Sequence, residues 1–482
     1  MIYDCIIVGA GPGGSSAATF LARQGISTLL LDKEVFPRDK VCGDGLAPQA
    51  LYWIDELGCI NEVLDQTDSC ITTGDIFING EHLSTGRFPQ DAQYPGFCTL
   101  LERKRLDFIL AKNAVKNGAV FKPGHMVKEI DLTGKYIVAR AESDGKMAEF
   151  QGMLLIGADG VNSVVARSIG NILKEGTSAV SVRGYYEGVD TGRSQIQIYF
   201  NEQFFPGYGW VFTDDSGKAN IGIGYAIDRN FPKKRNLQHV FEEFIRKDLK
   251  GLLKNARPDG NTAGWWASFF RPKSMVAERV MLIGDAANVA DPINGGGIHK
   301  AMESAFISSQ VAAYALSSGD FSVETLRTYE MLWKEHAGFD WRIGEFLLTI
   351  AKNPDLRELY LFLLKNIANL TKGNVHLQEF CSGVFLGMIP LKDAISPIAL
   401  LNAIPLKPCD WVSMLYSSGR GGSLGLYDAF SAGANIVKMA GRIAVNPLSH
   451  LNWGAEVLKK SIGLGGLYMD ALTYQSAIGC IQ

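Results

Sequence analysis

Ile6-Ile7-Val8-Gly9-Ala10-Gly11-Pro12-Gly13-Gly14 decides the fold, because an apolar strand runs here directly into a Gly-x-Gly-x-x-Gly turn. In such a turn Gly9 permits the sharp change of direction and Gly11 lets the backbone approach a pyrophosphate. Gly14 lets the following helix pack closely on the strand. Gly9, Gly11, Pro12 and Gly14 are therefore candidate cofactor contacts. A second apolar strand, Thr28 to Leu31, ends at Asp32 with Lys33 beside it. This is about the twenty-residue spacing at which a carboxylate meets an adenosine ribose. A lone glycine motif is weak evidence, but strand, helix, strand and acid in register predict a dinucleotide-binding unit.

A second stretch completes the reading. The apolar run Val280 to Ile283 leads into Gly284-Asp285-Ala286-Ala287-Asn288-Val289-Ala290-Asp291-Pro292-Ile293-Asn294-Gly295-Gly296-Gly297-Ile298, and a helical pattern follows from His299 to Leu316. A strand ending in Gly-Asp puts the Asp285 carboxylate where it can accept a hydrogen bond from a sugar-alcohol hydroxyl. Gly295, Gly296, Gly297 and Ile298 open a helix whose free N–H groups and positive dipole end suit an electron-rich acceptor. A reduced flavin gathers negative charge at its pyrimidine edge, so the pair of stretches suits FAD.

The 482 residues exceed what one compact core accommodates and predict two or three domains. With 47% hydrophobic residues, 20% charged and a net charge of −3, the chain reads as soluble, with no basic excess that would argue for nucleic acid. The cysteines, at 5, 42, 59, 70, 98, 381, 409 and 480, form no Cys-x-x-Cys pair. They fit a reduced, cytoplasmic protein better than a disulfide scaffold or zinc site. Asp4 within the first strand argues against a secretory signal. Lys392, Asp393, Lys407 and several prolines interrupt the apolar late stretches and argue against a membrane-spanning helix.

Along the chain, residues 70 to 100 read as short strands separated by Gly-Asp, Asn-Gly and Pro-Gly turns. Glu102 to Asn117 reads as a helix with Leu106, Ile109, Leu110 and Ala114 on one face. Further strands lead to Met153 through Gly160, residues 178 to 226 are again strand-like, and Val280 returns to the nucleotide unit. The expected architecture is α/β: a Rossmann-like FAD-binding domain built from 1–69, 101–175 and 271–345, with an inserted antiparallel β-sheet substrate domain (70–100 and 176–270). A C-terminal helical region (346–482) follows, with Leu356, Leu359, Tyr360, Leu363 and Leu364 at helical spacing and Pro390, Pro397 and Pro405 as breaks.

Three segments resemble the flavoprotein monooxygenases and reductases built like para-hydroxybenzoate hydroxylase: the turn at 9–14, Gly157-Ala158-Asp159-Gly160-Val161-Asn162-Ser163 with Arg167, and the Gly-Asp stretch at 284. Arg103 with Asp107 resembles that family's Arg-x-x-x-Asp, although Lys104 and Arg105 would equally suit a solvated helix face. The resemblance implies that Asp32 holds the adenosine ribose, Arg103 the pyrophosphate side and Asp285 the ribityl–pyrophosphate region. Asp159 joins the cofactor set, and Gly295 to Ile298 lie over the flavin N1/O2 edge.

Within that superfamily, Lys40-Val41-Cys42-Gly43-Asp44-Gly45-Leu46 resembles the Lys-x-Cys-Gly-x-Gly motif of geranylgeranyl reductases. Pro206-Gly207-Tyr208-Gly209-Trp210-Val211-Phe212 with Ile221-Gly222-Ile223-Gly224 resembles their Tyr-x-Trp-x-Phe-Pro … Val-Gly-x-Gly signature, except that Thr213-Asp214 replaces Pro-Lys. Tyr208, Trp210 and Phe212 alternate, so a strand would point them to one face of its sheet, as substrate contacts or as core. Cys42, Tyr208 and Trp210 are the candidate catalytic residues. A cysteine near a flavin can donate a proton or modulate the flavin, with Lys40 nearby to tune it; packing is its ordinary role.

The resemblance implies an FAD-dependent oxidoreductase that reduces carbon–carbon double bonds of an apolar, prenyl or related lipid substrate by hydride transfer from flavin. A monooxygenase or halogenase on the same scaffold is the alternative, although no Trp-x-Trp-x-Ile-Pro motif occurs. A non-catalytic flavin-bound sensor is a third reading. The residues do not set the electron donor, NAD(P)H or another reductant, nor the oligomeric state. The late apolar helices leave peripheral membrane contact open. His299 follows the glycine run and could face inward or outward, and no spacing suggests a metal.

Overall fold

The strand Ile2–Val8 has parallel neighbours on both sides, which is why it is almost continuously apolar rather than alternating. Val8 lies opposite Leu31 of Thr28–Leu31 on one side and opposite Gly157 of Lys146–Gly157 on the other. Val120–Lys122 extends the sheet in parallel beyond Thr28–Leu31, and Val280–Leu282 beyond Lys146–Gly157. The short strand Val276–Ala277 closes that edge in antiparallel fashion. Gly9, Asp32, Ala158 and Ile283 therefore leave the sheet together at the carboxyl ends of its strands, where open α/β sheets bind ligands. The computed structural model describes residues 1–90, 93–171, 178–227, 236–268, 274–394, 448–461 and 463–464.

Helix Pro12–Arg23 packs between Ile298–Ser318 and Arg103–Lys116 on this sheet. The helix after the glycine run thus begins at Ile298 and continues two residues past the expected Leu316. Buried Ile6, Ile7, Leu29, Leu30, Leu155, Ile156, Met281 and Leu282 form the centre of the core.

The second sheet orders its seven strands as Arg257–Ser268, Ser178–Glu187, Ala219–Ile227, Gly207–Thr213, Gln195–Phe200, Thr73–Ile78 and Glu81–Arg87. It is antiparallel except where Gln195–Phe200 runs parallel to Thr73–Ile78. Alternation divides its two faces. Val211, Ile221 and Ile223 pack under helix Leu237–Lys247, which buries Val240, Phe241 and Phe244. That helix, past the strand-like residues 178 to 226 but within the segment 176–270 expected to form the β-sheet domain, was not foreseen; its signals are the Asn236 cap and the apolar residues that follow. The opposite face carries Ile196, Ile198, Tyr208, Trp210 and Phe212.

The late helices Arg357–Thr371 and Val375–Leu386 lie against Glu81–Arg87 and bring Phe385 to the Tyr208 cluster. Tyr360 and Leu364 pack on Ile78, Leu83 and Phe205, whereas Leu363, expected on the same stripe, is exposed. Pro397, Pro405, Lys407, Cys409 and Cys480 lie outside the described residues.

Candidate active site

The glycines of the first turn divide by what surrounds them. Gly9 adopts φ 100°, and a Cβ there would stand 2.3 Å from the Ala158 carbonyl oxygen; at Gly14 it would stand 1.7 Å from the Gly9 carbonyl oxygen. Both are demanded by the chain's own packing. At Gly11 a Cβ would meet nothing nearer than an Arg38 guanidinium nitrogen at 3.9 Å, so the space above this glycine is open. Helix Pro12–Arg23 starts here with no side-chain cap and no acidic residue in its first turn. Its leading N–H groups are thus left for an anion.

Asp32 is buried at the end of its strand. One oxygen accepts the Ala10 N–H at 2.6 Å and the other the Glu34 N–H at 2.9 Å, so this acid also braces the glycine turn. Burial pushes its carboxyl up while those two N–H groups pull it down. Lys33 is exposed at the surface, 3.9 Å from Glu34. Asp159 accepts the Ser163 hydroxyl at 2.5 Å and the Val164 N–H at 2.6 Å, which caps the short helix Val164–Ser168 behind the turn.

On the other side of the cleft, the Asp285 carboxylate makes no hydrogen bond among the described residues and lies 3.7 Å from where a Gly297 Cβ would be. Asn288 is 2% exposed, and both its side-chain polar atoms lack partners among the described residues. Helix Ile298–Ser318 begins at Gly297, again without a cap or an acidic residue in its first turn. Gly296 has no room for a Cβ, because the His299 ring would lie 2.7 Å from it. His299 therefore points inward, and burial pushes its imidazole down to about 3, which keeps it neutral. The glycine run is pinned from outside: the Tyr208 hydroxyl donates to the Asn294 carbonyl, and the Asn294 amide donates to the Phe385 carbonyl at 2.7 Å.

These features fit FAD: an open glycine, two uncapped helix starts, a braced acid and an unpaired carboxylate. Asp285→Ala removes a charge-assisted acceptor for hydroxyls, about 1.5–3 kcal/mol, so FAD affinity should fall roughly ten- to a hundred-fold. Titration of the apoprotein with FAD, read by flavin fluorescence, checks this; wild-type affinity would remove Asp285 from the site.

The Cys42 loop meets the aromatic row edge-on. A Cβ at Gly43 or Gly45 would lie 2.9 or 3.1 Å from the Phe212 ring, and one at Gly222 would lie 2.1 Å from Trp210. The glycines of both motifs thus make room for rings. Trp210 is 8% exposed and donates its indole N–H to Asn220 at 2.9 Å. Its ring centre is 6.2 Å from Tyr208 and 6.5 Å from Phe212. Trp210 and Phe212 are therefore packed under the loop.

Cys42 is half-buried; desolvation pushes its thiol pKa up, and the adjacent Arg103 guanidinium pulls it down. The neighbouring cation is thus Arg103. The Lys40 ammonium instead lies 3.4 Å from the centre of the Trp265 ring, and burial lowers its pKa to about 8. Arg103 is 7% exposed, which removes the solvated-face reading. It grips Asp107 with two bonds of 2.8 Å, and Asp107 also accepts Arg38 at 2.6 Å. Sequence reasoning missed Asp44, Tyr185 and Asn220 around this loop, and the buried Glu303 with its partners Lys300 and His336. Only the i, i+3 spacing of Lys300 and Glu303 was a legible signal.

The family described as FAD binding domain matches residues 3–337. Digeranylgeranylglycerophospholipid reductase of Methanosarcina acetivorans is 32% identical over 347 residues, covering 70% of this chain and 82% of that protein. The chain is a member of the geranylgeranyl reductase family of FAD-dependent oxidoreductases. A solved geranylgeranyl bacteriochlorophyll reductase-like protein from Thermoplasma acidophilum shares 24% identity with a TM-score of 0.63, over 86% of this chain and 99% of that one. A flavin-dependent brominase shares the fold at 20% identity and a TM-score of 0.63, over 82% of this chain and 100% of its own. The protein is thus an enzyme that uses FAD. Among the described residues no helix is long and apolar enough to cross a membrane.

Proposed function

We propose that this enzyme reduces carbon–carbon double bonds of an apolar, prenyl-type lipid. The observation that carries the reading is the interleaving of the half-buried Cys42 loop with the Tyr208–Trp210 face beside the glycine run. The names of the relatives, prenyl-lipid reductases, point the same way. FAD held there, once reduced by an external donor such as NAD(P)H, would supply the electron pair as hydride and be left oxidised. One carbon of the double bond takes the hydride and the other takes a proton, leaving a saturated bond. Desolvation pushes the Cys42 thiol pKa up, towards the protonated state from which a donor must start, and the Arg103 charge beside it favours the thiolate left behind. Solvent then returns the proton. Trp210 and Tyr208 supply apolar shape and exclude water.

Anaerobic incubation of the reduced holoenzyme with a polyprenyl lipid tests this, with products weighed by mass spectrometry. A gain of two hydrogens per double bond is expected. A hydroxylated or halogenated product that forms only under oxygen would overturn it. Cys42→Ser should keep its FAD and lower kcat roughly 10²- to 10⁴-fold. Trp210→Ala should act mainly on KM and on which double bond is reduced. If both variants lose FAD, the two residues are core.

A further inference from the structure

We infer that Asp44 is the positioning residue for Cys42, an inference that rests on the role proposed for Cys42 above. Asp44 is 4% exposed and holds a left-handed backbone conformation, φ 62°, which a non-glycine residue adopts rarely. Its carboxylate supplies the contacts that hold it there. One oxygen accepts the Arg103 backbone N–H at 3.1 Å. The other accepts the Tyr185 hydroxyl at 2.5 Å and the Asn220 amide at 2.8 Å. The Asp44 carbonyl takes the Leu101 N–H at 3.0 Å. One side chain thus ties the loop to the first turn of Arg103–Lys116 and to two strands of the second sheet.

Asn220 carries the link to the reacting groups. Its amide nitrogen also donates to the Cys42 carbonyl at 2.7 Å, and its oxygen accepts the Trp210 indole. Every polar atom of the Asn220 side chain is therefore used, and each bond fixes a different part of the site. The Tyr185 ring lies 4.1 Å from the Arg183 guanidinium and 5.0 Å from the Lys218 ammonium. Burial pushes the Asp44 carboxyl up, and its three donors and Arg183 oppose that. The spacing among the Cys42 thiol, the Arg103 guanidinium and the Trp210 indole is set where these bonds converge. Releasing Asp44 lets the loop turn the thiol away from Arg103 without removing any group assigned to FAD.

The test uses Tyr185→Phe and Asn220→Ala holoenzymes, each first assayed for FAD content. Iodoacetamide labelling across pH is read cysteine by cysteine by mass spectrometry. The expected result is full FAD, Cys42 labelling about tenfold faster above its midpoint, where exposure rather than the lost Arg103 contact sets the rate, and a shifted pH midpoint for Cys42 alone. Buried Cys5 and Cys98 should stay protected and exposed Cys70 should label as in the parent. Parent-like labelling of Cys42 in both variants overturns the inference. So does parallel labelling of Cys5 and Cys98, which signals general loosening, and so does loss of FAD, which would place the cluster in the nucleotide site. The readout is labelling rather than turnover, so a fully active Cys42→Ser would defeat the proposed chemistry while leaving this result standing.

Discussion

Gly14→Ala is expected to leave no folded, FAD-loaded protein, whereas Gly11→Ala is expected to fold normally and bind FAD more weakly. At Gly14 the new methyl would sit 1.7 Å from the Gly9 carbonyl oxygen, 2.9 Å from its carbon and 3.2 Å from the Ala158 Cβ. The first two are backbone atoms of the turn that joins strand Ile2–Val8 to helix Pro12–Arg23. Relief requires moving the helix off the sheet, and the core between them is the centre of the molecule. The cost belongs with the exceptional substitutions, above about 4 kcal/mol. Gly11 has φ −72° and ψ −172°, a conformation alanine adopts freely, and 3.9 Å of clearance to its nearest neighbour. Its methyl would occupy only the space left for the cofactor. Overpacking of about 1–3 kcal/mol then appears as weaker FAD binding, roughly five- to a hundred-fold. Thermal unfolding of the apoproteins and flavin retained after gel filtration separate the two. A Gly14→Ala protein with parent stability, or a Gly11→Ala protein with full FAD affinity, would show that the turn has been misread.

The same contrast explains which parts of the protein could be read from residues. Gly14 and Gly222 can be rationalised from the motifs themselves, because the first clashes with Gly9 close in sequence and the second with the Trp210 ring at a fixed strand register, whereas Gly9 and Gly43 meet Ala158 and Phe212 from distant segments. Asp32 and Asp285 are legible because each ends a strand whose apolar run is visible. Asp44 is not. Its partners Arg103, Tyr185 and Asn220 lie far along the chain, and no periodicity relates them until two sheets have met. The cation beside Cys42 was misjudged for the same reason: Lys40 is near in sequence, but the loop turns it onto Trp265 and leaves the thiol to Arg103. Sequence proximity was a poor guide wherever a tertiary contact set the charge.

Acidification is expected to weaken the fold through Glu303. This carboxylate is 6% exposed, 2.9 Å from the Lys300 ammonium and hydrogen-bonded to His336. Burial alone would push it up; Lys300 and then His336 overcome that and hold it at about 2, against an ordinary 4.5. The folded-state pKa is the lower one, so the stabilisation is fully present above about pH 4.5 and is lost as pH falls from there to about 2. It amounts to about 3 kcal/mol. Glu303→Gln keeps the shape and removes the charge, leaving the half-buried Lys300 without its nearest anion. The cost at neutral pH should be about 3–5 kcal/mol, with a shallower loss of stability between pH 4.5 and 2. Lys300→Met added to Glu303→Gln removes the stranded cation and should recover most of that loss. The pair lies in the first two turns of helix Ile298–Ser318, whose leading residue His299 underlies the glycine run. Flavin release should therefore accompany the early part of acid unfolding. Denaturant unfolding at several pH values, followed by flavin and by tryptophan fluorescence, tests both claims. A single variant with the parent's pH slope, or a double variant no more stable than the single, would mean that the ion pair contributes nothing to holding this helix.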